Sequence, residues 1–356
     1  MRVLYDGFIF GLQGAGGINR YFSELISRLP SGDLPVVYGS FARSLQVPRH
    51  PRISVRRLFR FGRLAEPYAA KWASGFDVFH PTYYHLTPPL AWSRVRSPVV
   101  LTVHDFTFER LGHRHEKSAK LLAAQKTAIG RADLIICVSR STQADLHEFY
   151  PQAAERSRVI HLAAPELPAG IPPEEDGPYI LFVGSRSFYK NFSLAVRALS
   201  ALSKRTCGLR LVVAGTPWTE SEIRLIHEEG VGGLVTLVES PGDEQLAGLY
   251  AAAVCLLYPS EYEGFGLPLL EAMSVGTPVI ALRSSSIPEV AGPGAILLDP
   301  CDASPENVAD AMQQLLEEPS LREKLSSAGR KHASLFGWEY TASETIDAYR
   351  SVCRGG

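Results

Sequence analysis

Short apolar runs alternate with segments of helical spacing along the whole chain of 356 residues. Such alternation is typical of βαβ units built around a parallel sheet. The strands predicted in the first half are Val3–Tyr5, Val36–Tyr38, Val78–His80, Pro98–Val103, Leu134–Val138 and Val159–Leu162. Those predicted in the second half are Tyr179–Val183, Leu209–Ala214, Leu234–Val238, Val254–Tyr258, Pro278–Ala281 and Ala295–Leu298. The pattern therefore indicates an α/β protein with two successive sheets.

Helical segments fill the gaps between these strands. They are predicted at Tyr21–Leu29, Phe192–Leu202, Thr219–Glu228, Asp243–Ala252, Pro268–Val275, Pro305–Glu317 and Leu321–Ala333. Residues 165–178 contain five prolines without periodicity, which is typical of a linker. We therefore expect two doubly wound domains, residues 1–164 and 179–335, that face each other across a cleft. A final helical segment, 336–356, carries Trp338, Thr341, Ile346 and Tyr349 near one face.

Composition narrows the class of protein. The formal net charge is -1 and 46% of the residues are hydrophobic, so nothing in the overall balance favours a nucleic-acid partner. The five cysteines are scattered without a C-x-x-C pair, which excludes a zinc ribbon and a disulfide-rich scaffold. No segment approaches the roughly 18 consecutive apolar residues that span a bilayer, and we expect no signal peptide. These features favour a cytoplasmic protein.

The stretch Ser260–Glu271 carries the strongest chemical signal. It follows a predicted buried strand, and Gly264 and Gly266 allow a tight loop that can approach a ligand closely. Pro268 suits the first turn of the following helix, whose N–H groups and dipole favour phosphate. Glu263 and Glu271 bracket the loop, and carboxylates beside a phosphate more plausibly accept hydrogen bonds from hydroxyl groups. A ligand that has hydroxyl groups on both sides of a phosphate is typically a sugar nucleotide.

This stretch resembles a known signature. The order E-x-G-F-G-L-P-x-x-E-A-M, followed by G-T-P-V-I, resembles the donor site of retaining glycosyltransferases of the GT-B fold, in the group 1 (GT4-like) family. The resemblance implies transfer of a hexose from a nucleoside diphosphate sugar to a hydroxyl of a glycan or lipid-linked glycan. It favours polysaccharide or O-antigen synthesis, with a weak preference for GDP-mannose. The leaving phosphate would take the acceptor proton, so no protein nucleophile is needed.

The resemblance implies that the last helix, within residues 336–356, returns to the first domain. It also assigns roles around the donor. Glu263 would bind the hexose hydroxyls, Glu271 would bind the ribose, and backbone N–H groups around Phe265 would bind the phosphates. The base would meet the loop after the strand Leu234–Val238, and a glycine loop near the N-terminus would lie against the diphosphate. The donor-binding positions are then Gly16, Gly17, Gly184, Ser240, Pro241, Gly264, Phe265, Gly266, Leu267 and Glu271.

Two cations are expected to stabilise the leaving group. Arg186 and Lys190 lie in the loop after the first strand of the second domain, where fixed positive charge would act most strongly on the departing diphosphate. Lys190 matches the family position. Arg186 is offset by one residue, because Ser185 occupies the place where the family usually has its arginine. Solvated surface cations are the alternative interpretation.

The first domain offers His104 and Asp105 at the end of a predicted strand. A histidine in this place is often structural, but the resemblance implies that His104 contacts the transferred sugar. Asp105 either binds the acceptor or caps a turn, and the sequence does not distinguish these roles. The chain contains no D-x-D motif and no histidine cluster with ligand spacing. We therefore expect no metal and no cofactor besides the nucleoside diphosphate sugar as co-substrate.

A basic stretch follows Asp33, since no acid occurs again before Glu66. It could be a peripheral contact with an anionic membrane or a site for a diphosphate-linked lipid, and an ordinary solvated face is equally compatible. Its arginines are Arg49, Arg52, Arg56, Arg57, Arg60 and Arg63.

Two other functions fit the same two-domain scaffold. A nucleotide-sugar epimerase or hydrolase would convert its substrate without an acceptor. A non-catalytic sugar-nucleotide-binding protein is disfavoured, because the candidate cations and acids occur together.

Overall fold

The computed structural model describes residues 1–12, 16–39, 48–57, 75–86, 92–112, 118–171 and 177–353. The chain forms two compact units. Unit 1 consists of Met1–Leu162 with Gly337–Gly356, and unit 2 consists of Ala163–Phe336. All of the described strand pairings are parallel, so the predicted α/β class is confirmed.

The strands of unit 1 follow the predicted alternation. They are β1 (Arg2–Tyr5), β2 (Leu34–Gly39), β3 (Ser54–Arg57), β4 (Val78–Phe79), β5 (Val100–Val103), β6 (Leu134–Cys137) and β7 (Ser157–Val159). Their order is β3-β2-β1-β4 in one sheet and β5-β6-β7 in another, and a parallel bridge between Phe79 and Val99 connects the two. The direction of winding reverses between β1 and β4. That reversal is the topological switch point of unit 1, where α/β sheets bind ligands at the carboxyl ends of their strands.

Strand β3 was not predicted, because two of its four residues are arginines of the basic stretch and no apolar run marks it. Arg56 and Arg57 belong to this strand, which pairs with β2. Arg52 donates from Nη1 to the carbonyl of Gly32 at 2.6 Å, whereas Arg60 and Arg63 lie outside the described residues. None of the helices in the described part of the chain is long and apolar enough to cross a membrane.

The helices of unit 1 cover the faces of its strands. They are α1 (Phe8–Leu12), α2 (Gly17–Ser27), α3 (Thr107–Leu111), α4 (Ser118–Arg131), α5 (Arg140–Phe149) and α13 (Trp338–Cys353). Helix α2 begins four residues before the predicted start at Tyr21. Glycine is a weak helix former in isolation, but tertiary packing overrides propensity here, since Asn19, Tyr21, Phe22 and Leu25 are all buried.

Helix α13 closes unit 1 from the far end of the chain. The residues predicted to share one face, Trp338, Thr341, Ile346 and Tyr349, are all buried. The Tyr349 hydroxyl lies 3.0 Å from the hydroxyl of Tyr5 and 2.7 Å from Nδ1 of His80. The helix is therefore fixed to unit 1 by a buried polar cluster as well as by apolar packing.

Unit 2 has a six-stranded sheet. Its strands are β8 (Tyr179–Val183), β9 (Arg210–Gly215), β10 (Val235–Glu239), β11 (Cys255–Tyr258), β12 (Val279–Leu282) and β13 (Ala295–Leu298). They lie in the order β10-β9-β8-β11-β12-β13, so the winding reverses between β8 and β11. This is the switch point of unit 2. Every one of these strands overlaps a strand predicted from the apolar runs.

The helices of unit 2 pack on both faces of that sheet. They are α6 (Phe192–Ser203), α7 (Glu220–Glu228), α8 (Asp243–Ala252), α9 (Leu267–Val275), α10 (Ile287–Ala291), α11 (Pro305–Glu317) and α12 (Pro319–Ala333). Strand residues such as Ile180 and Val213 form one buried cluster with Leu199 of α6 and Met312 of α11.

The proline-rich segment predicted as a linker packs against unit 2 where it is described. The N–H of Ile171 donates to the carbonyl of Glu244 at 3.0 Å. Gly170 and Gly248 approach so closely that a Cβ on Gly170 would lie 2.6 Å from the backbone nitrogen of Gly248. Glycine is required at this crossing because any side chain would separate the two backbones.

Candidate donor-binding site

The carboxyl ends of β8 and β11 lie side by side at the switch point of unit 2. The turn Phe188–Lys190 follows β8, and the loop that contains Glu263 follows β11. The N–H of Glu261 donates to the carbonyl of Tyr189 at 2.7 Å, which joins the two loops directly. The topology therefore brings together two segments that are about 70 residues apart in sequence.

An ion pair between Lys190 and Glu263 occupies the centre of this edge. Nζ of Lys190 lies 2.5 Å from Oε1 of Glu263, and the two side chains are 14% and 10% exposed. The same Nζ donates to the hydroxyl of Tyr258 at 3.1 Å. Both charges have lost most of their water, so each depends on the other and on nearby dipoles for stabilisation.

Tyr258 supports this pair from the last position of β11. Its side chain is buried, and burial, together with the nearby Glu263 carboxylate, raises the pKa of its hydroxyl well above the usual value. The neutral phenol is therefore retained at all ordinary pH values. The apolar pattern predicts Tyr258 only as the last residue of a strand. A phenol as the last side chain of a buried parallel strand was the available signal.

The glycine loop leads from Glu263 into helix α9. Gly266 is the N-cap of α9 with a φ of 101°, and Pro268 lies in the first turn of the helix. A side chain on Gly266 would be strained at this φ and would approach Leu269 to 2.9 Å. The helix N-terminus therefore meets the loop as predicted, with Gly264 and Phe265 immediately before it.

Glu271 lies in the second turn of α9 and is buried. Its Oε2 accepts a hydrogen bond of 2.7 Å from the hydroxyl of Tyr250, on α8. This bond orients the Glu271 carboxylate, a group that can accept several hydrogen bonds. Tyr250 is a second tyrosine that sequence analysis did not single out.

Consecutive serines after β12 hold the glycine loop in place. The N–H of Glu263 donates to Oγ of Ser285 at 2.8 Å. Oγ of Ser286 donates to the carbonyls of Glu263 and Phe265, both at 2.9 Å. Ser285 has a φ of 44°, a left-handed conformation that is costly for a side chain of this type. A serine triplet directly after a buried strand was the only sequence signal for this support.

Left-handed backbone is concentrated at this edge of the unit 2 sheet. Among the described residues, the non-glycine residues with positive φ are Asn191, Ser240 and Ser285. They follow β8, β10 and β12. Gly184, with a φ of 114°, directly follows β8. Such conformations cost free energy and persist where surrounding contacts hold a loop in a required shape.

The predicted base-binding loop lies on this edge as well. The N–H of Ser240 donates to the carbonyl of Gly215 at 2.8 Å, so Ser240 and Pro241 follow β10 at the level of the β9 terminus. Helix α8 starts immediately afterwards with Gly242 as its N-cap.

Arg186 makes different contacts from those of Lys190. Its Nε lies 2.7 Å from Oε1 of Glu222, and its Nη2 donates to the carbonyls of Thr216 and Pro217 at 2.9 and 2.8 Å. The guanidinium carbon is 4.7 Å from the ring centre of Trp218, and the side chain is only 2% exposed. Nη1 has no hydrogen-bond partner among the described residues. These contacts show a structural role for Arg186, and direct contact with a phosphate stays a prediction.

Comparisons with known proteins give the class of enzyme to which this chain is similar. A family model described as Glycosyl transferases group 1 matches residues 164–332, and one described as Glycosyltransferase Family 4 matches residues 15–165. Between them the two models match residues 15–332, and this chain is a glycosyltransferase. O-antigen chain mannosyltransferase B of Escherichia coli is 29% identical over 373 residues, which cover 94% of this chain and 96% of that protein.

Solved structures show the same fold for this glycosyltransferase. Sucrose-phosphate synthase from Thermosynechococcus elongatus aligns with a TM-score of 0.76 at 22% identity, and the alignment covers 100% of this chain and 99% of that one. The Anabaena protein HepE, in complex with UDP and glucose, aligns with a TM-score of 0.72 at 19% identity, over 99% and 100% of the two chains. The chain therefore has the GT-B fold.

His104 of the glycosyltransferase lies in unit 1, directly after β5. Burial lowers the pKa of its imidazole to about 4, so the ring is neutral at pH 7. Its ring packs edge-on against Tyr21 at 5.5 Å. Nε2 is buried and has no hydrogen-bond partner within the described part of the chain. His104 therefore retains an unused hydrogen-bonding group, which a purely structural histidine would normally satisfy.

Asp105 and the glycine pair near the N-terminus have defined local roles. Oδ1 of Asp105 accepts from the N–H of Thr107 at 2.9 Å, so Asp105 does cap the turn into α3, and a role in acceptor binding stays a prediction. Gly16 is the N-cap of α2, whose first residue is Gly17, and no side-chain hydrogen bond caps this end. Across the ranges that the structure describes, no group of three or more His, Cys, Asp or Glu side chains is arranged to hold a metal ion.

Proposed function

We propose that this glycosyltransferase moves a hexose, with retention of anomeric configuration, from a nucleoside diphosphate sugar to a hydroxyl group of a glycan or lipid-linked glycan. The observation that carries this proposal is the pair of Lys190 and Glu263 beside the N-terminus of α9. It combines a cation, a carboxylate and a helix dipole at one switch point. Those are the groups that a sugar and its attached diphosphate require.

The ion pair explains how the site would accept a doubly charged diphosphate. With no donor bound, Glu263 neutralises Lys190, so neither buried charge is left alone. A donor phosphate would take over Lys190, and the released Glu263 carboxylate would accept hydrogen bonds from hexose hydroxyls. The N–H groups at the start of α9 would bind the remaining phosphate oxygens. No metal is needed for this exchange.

The chemical step follows from the same groups. The acceptor hydroxyl attacks the anomeric carbon on the face from which the phosphate departs. The bond between that carbon and the phosphate oxygen breaks, and the leaving phosphate takes the hydroxyl proton. Lys190 would stabilise the growing negative charge on the diphosphate, which is the most effective place for a fixed cation.

Neutral His104 would contact the transferred sugar through its unpartnered Nε2. Because burial keeps the pKa of its imidazole near 4, His104 would bind a sugar hydroxyl without adding charge. Glu271, oriented by Tyr250, would bind the ribose, and the loop at Ser240 would meet the base.

The similarity to the O-antigen chain mannosyltransferase of Escherichia coli supports mannose as the transferred sugar and polysaccharide synthesis as the setting. A cytoplasmic location, with peripheral attachment through the basic stretch, suits a lipid-linked acceptor. Sedimentation with anionic vesicles at low and high salt tests the attachment. Recovery in the supernatant under both conditions would remove it.

A donor panel tests the main proposal. GDP-mannose, UDP-glucose and the corresponding free nucleotides are compared by thermal shift, and a ligand at 100-fold its Kd should stabilise the protein by about 2.7 kcal/mol. Glu271→Ala should abolish most of that stabilisation, and Glu220→Ala, an exposed acid on α7, serves as the matched control. Product anomers are then assigned by NMR.

An inverted product would overturn the retaining mechanism. Release of free hexose in the absence of an acceptor, at the same rate as in its presence, would indicate a hydrolase. Full stabilisation of Glu271→Ala would remove the ribose assignment.

A further inference from the structure

The segment after β8 in unit 2 contains a buried arginine as well as the lysine of the candidate donor site. The Arg186 side chain is only 2% exposed, although its neighbours in sequence, Ser185 and Ser187, are exposed. Lys190, four residues later, lies at the centre of the candidate donor site. The guanidinium of Arg186 instead contacts the β9 loop, residues 216–219, which connects β9 to α7. The two cations of this segment therefore have different neighbours.

Hydrogen bonds from Arg186 hold the β9 loop at several points. Nη2 donates to the carbonyls of Thr216 and Pro217 at 2.9 and 2.8 Å. Nε and Nη2 donate to the two carboxylate oxygens of Glu222, on α7, at 2.7 and 3.2 Å. The Glu222 carboxylate also accepts from the backbone N–H of Thr219 at 2.7 Å. One planar guanidinium is thus bonded to the start of this exposed loop directly and to its end through Glu222.

The charge of Arg186 is already compensated within unit 2. Burial alone would raise the pKa of Glu222, but the hydrogen bonds from Arg186 and Thr219 hold that pKa below its usual value. Glu222 is therefore ionised at pH 7 and neutralises the guanidinium. The ring of Trp218 lies 4.7 Å from the guanidinium carbon, and the ring of Phe192 lies 5.9 Å from it. A cation that is paired, covered by aromatic rings and shielded from solvent attracts a second anion only weakly.

Gly215, the last residue of β9, connects Arg186 with the loop after β10. A Cβ on Gly215 would lie 2.7 Å from the carbonyl oxygen of Gly184 and 2.9 Å from Nη1 of Arg186, so only glycine fits beneath the guanidinium. The carbonyl of Gly215 accepts from the N–H of Ser240 at 2.8 Å, and Ser240 is held at a φ of 47°. Arg186 and Ser240 therefore contact the same residue, and a displacement of one guanidinium would reach the loop that is predicted to meet the base.

We propose that Arg186 is a positioning residue, which sets the preference of the donor site for one nucleotide base by fixing the β9 loop and Ser240, without contact with the diphosphate. The inference rests on the proposed function, because its ligand is the nucleoside diphosphate of the donor. A loop that is ordered before the nucleotide arrives loses little conformational freedom on binding, which favours the base that fits its shape. Lysine cannot replace Arg186 in this role, because a single ammonium group cannot form the same set of planar hydrogen bonds.

Isothermal titration calorimetry of the full chain with GDP, GMP, UDP and UMP tests this role. The variants are Arg186→Gln, Arg186→Lys and Glu222→Gln, and Ser187→Ala is the matched control, because Ser187 is an exposed neighbour of Arg186. We expect each of the three variants to weaken the preferred nucleotide about tenfold, by the same factor for its diphosphate and its monophosphate. The affinities for guanine and uracil nucleotides should also become more similar. Ser187→Ala should bind as the wild type does.

Lys190→Ala provides the contrasting pattern, since loss of a phosphate contact should weaken the diphosphate more than the monophosphate. The same pattern in Arg186→Gln, with recovery in Arg186→Lys, would show that Arg186 contacts phosphate and would overturn the inference. Equal affinity of the wild type for guanine and uracil nucleotides, or a base preference that Arg186→Gln leaves unaltered, would overturn it as well.

Circular dichroism checks that each variant is folded. If Arg186→Gln does not fold, Glu222→Gln decides, because it keeps the arginine and removes the charged partner that fixes it. Wild-type affinity and base preference in folded Glu222→Gln would contradict the positioning role. Absence of any nucleotide binding to the wild type would instead remove the proposed function, so the two failures are distinguishable.

Discussion

The two units wind their sheets in the same way but equip their switch points differently. In unit 2 the strands β8 and β11 end in a buried pair of opposite charges, Lys190 and Glu263. In unit 1 the strands β1 and β4 are followed by partly exposed or exposed aromatic rings, those of Phe8, Tyr83 and His85. The buried carboxylate of Asp6 accepts hydrogen bonds there from Thr82 and Phe8. The topology fixes where a ligand can bind, and the side chains at that place determine which ligand.

The two units also differ in the number of described residues whose backbone has a strained, left-handed conformation. Each of the described non-glycine residues with positive φ lies in unit 2, next to the carboxyl end of a strand. Phosphate is bound largely through backbone N–H groups, so the loops themselves must have the correct shape. Aromatic stacking needs only correctly placed rings. We therefore expect the loops at the unit 2 switch point to be more sensitive to changes in backbone than those at the unit 1 switch point.

The largest effect is expected from Lys190→Ala. Loss of a fixed cation beside a developing negative charge should lower kcat by roughly 10²–10³, with the fold retained. Initial rates with the best donor measure this effect, and circular dichroism checks the fold. Arg197→Ala, which breaks an exposed pair with Glu229, is the matched control and should keep full activity. Equal rates for both variants would exclude Lys190 from the reaction.

The next effect tests the backbone of the donor loop. Gly266→Ala introduces a Cβ at a φ of 101° and within 2.9 Å of Leu269, so we expect a loss of about 1–3 kcal/mol in unfolding free energy and weaker nucleotide binding. Gly233→Ala is the control, because no atom lies within 4 Å of the added methyl group. Denaturant titration with and without GDP measures both quantities. An unaltered Gly266→Ala protein would contradict the proposed sensitivity of this loop.

A smaller effect is expected from the side-chain hydrogen bonds by which Thr82 joins the loops after β1 and β4 in unit 1. Thr82→Val removes the hydroxyl that bonds to Asp6 and Ile9, which should cost about 1–2 kcal/mol of unfolding free energy. Thr82→Ser keeps the hydroxyl and should lose much less. Nucleotide should stabilise both variants to the same extent, since the hydrogen bonds of Thr82 lie in unit 1. A loss of nucleotide binding in Thr82→Val alone would break the distinction between the two switch points.

The smallest effect concerns pH and Glu109 on α3. Burial, with Asp105 and Asp145 nearby, raises the pKa of Glu109 from 4.5 to about 7, and Oε1 accepts from the hydroxyl of Tyr150. A raised carboxyl pKa means that the folded protein binds the proton more tightly than the unfolded chain. The stabilisation is complete below pH 4.5 and is lost as pH rises through 7.

Glu109→Gln should therefore gain stability relative to the wild type between these two pH values, and the difference should be constant outside them. Chemical denaturation at closely spaced pH values measures it. A constant difference across the whole range would show that the Glu109 pKa is not raised.

Much of this organisation could be predicted from the sequence. The apolar runs gave every strand of unit 2, and the spacing of Glu263, Gly264, Gly266 and Glu271 placed a loop and a helix N-terminus together. These signals are local, because a strand, a turn and a helix each depend on neighbouring residues. Lys190 could be placed because it lies in the loop after the first predicted strand of the second domain, at a position that matches the family pattern.

The remaining features depend on contacts between distant segments. Arg186 had the appearance of a phosphate ligand, but its pairing with Glu222 and its position over Trp218 became visible only once β8 and β9 were paired. The meeting of Phe8 and Tyr83 required the pairing of β1 with β4. No periodicity within either segment indicates such a pairing.

The chain enters and leaves unit 2 at the same place, since the N–H of Ala164 donates to the carbonyl of Phe336 at 3.0 Å. Residues 163–336 therefore form one continuous segment that is inserted into the sequence of unit 1. A segment whose two ends already touch can be excised, fused or exchanged at a single junction with little disturbance to its host. Recombination between related enzymes can therefore replace unit 2 while unit 1 is inherited unchanged.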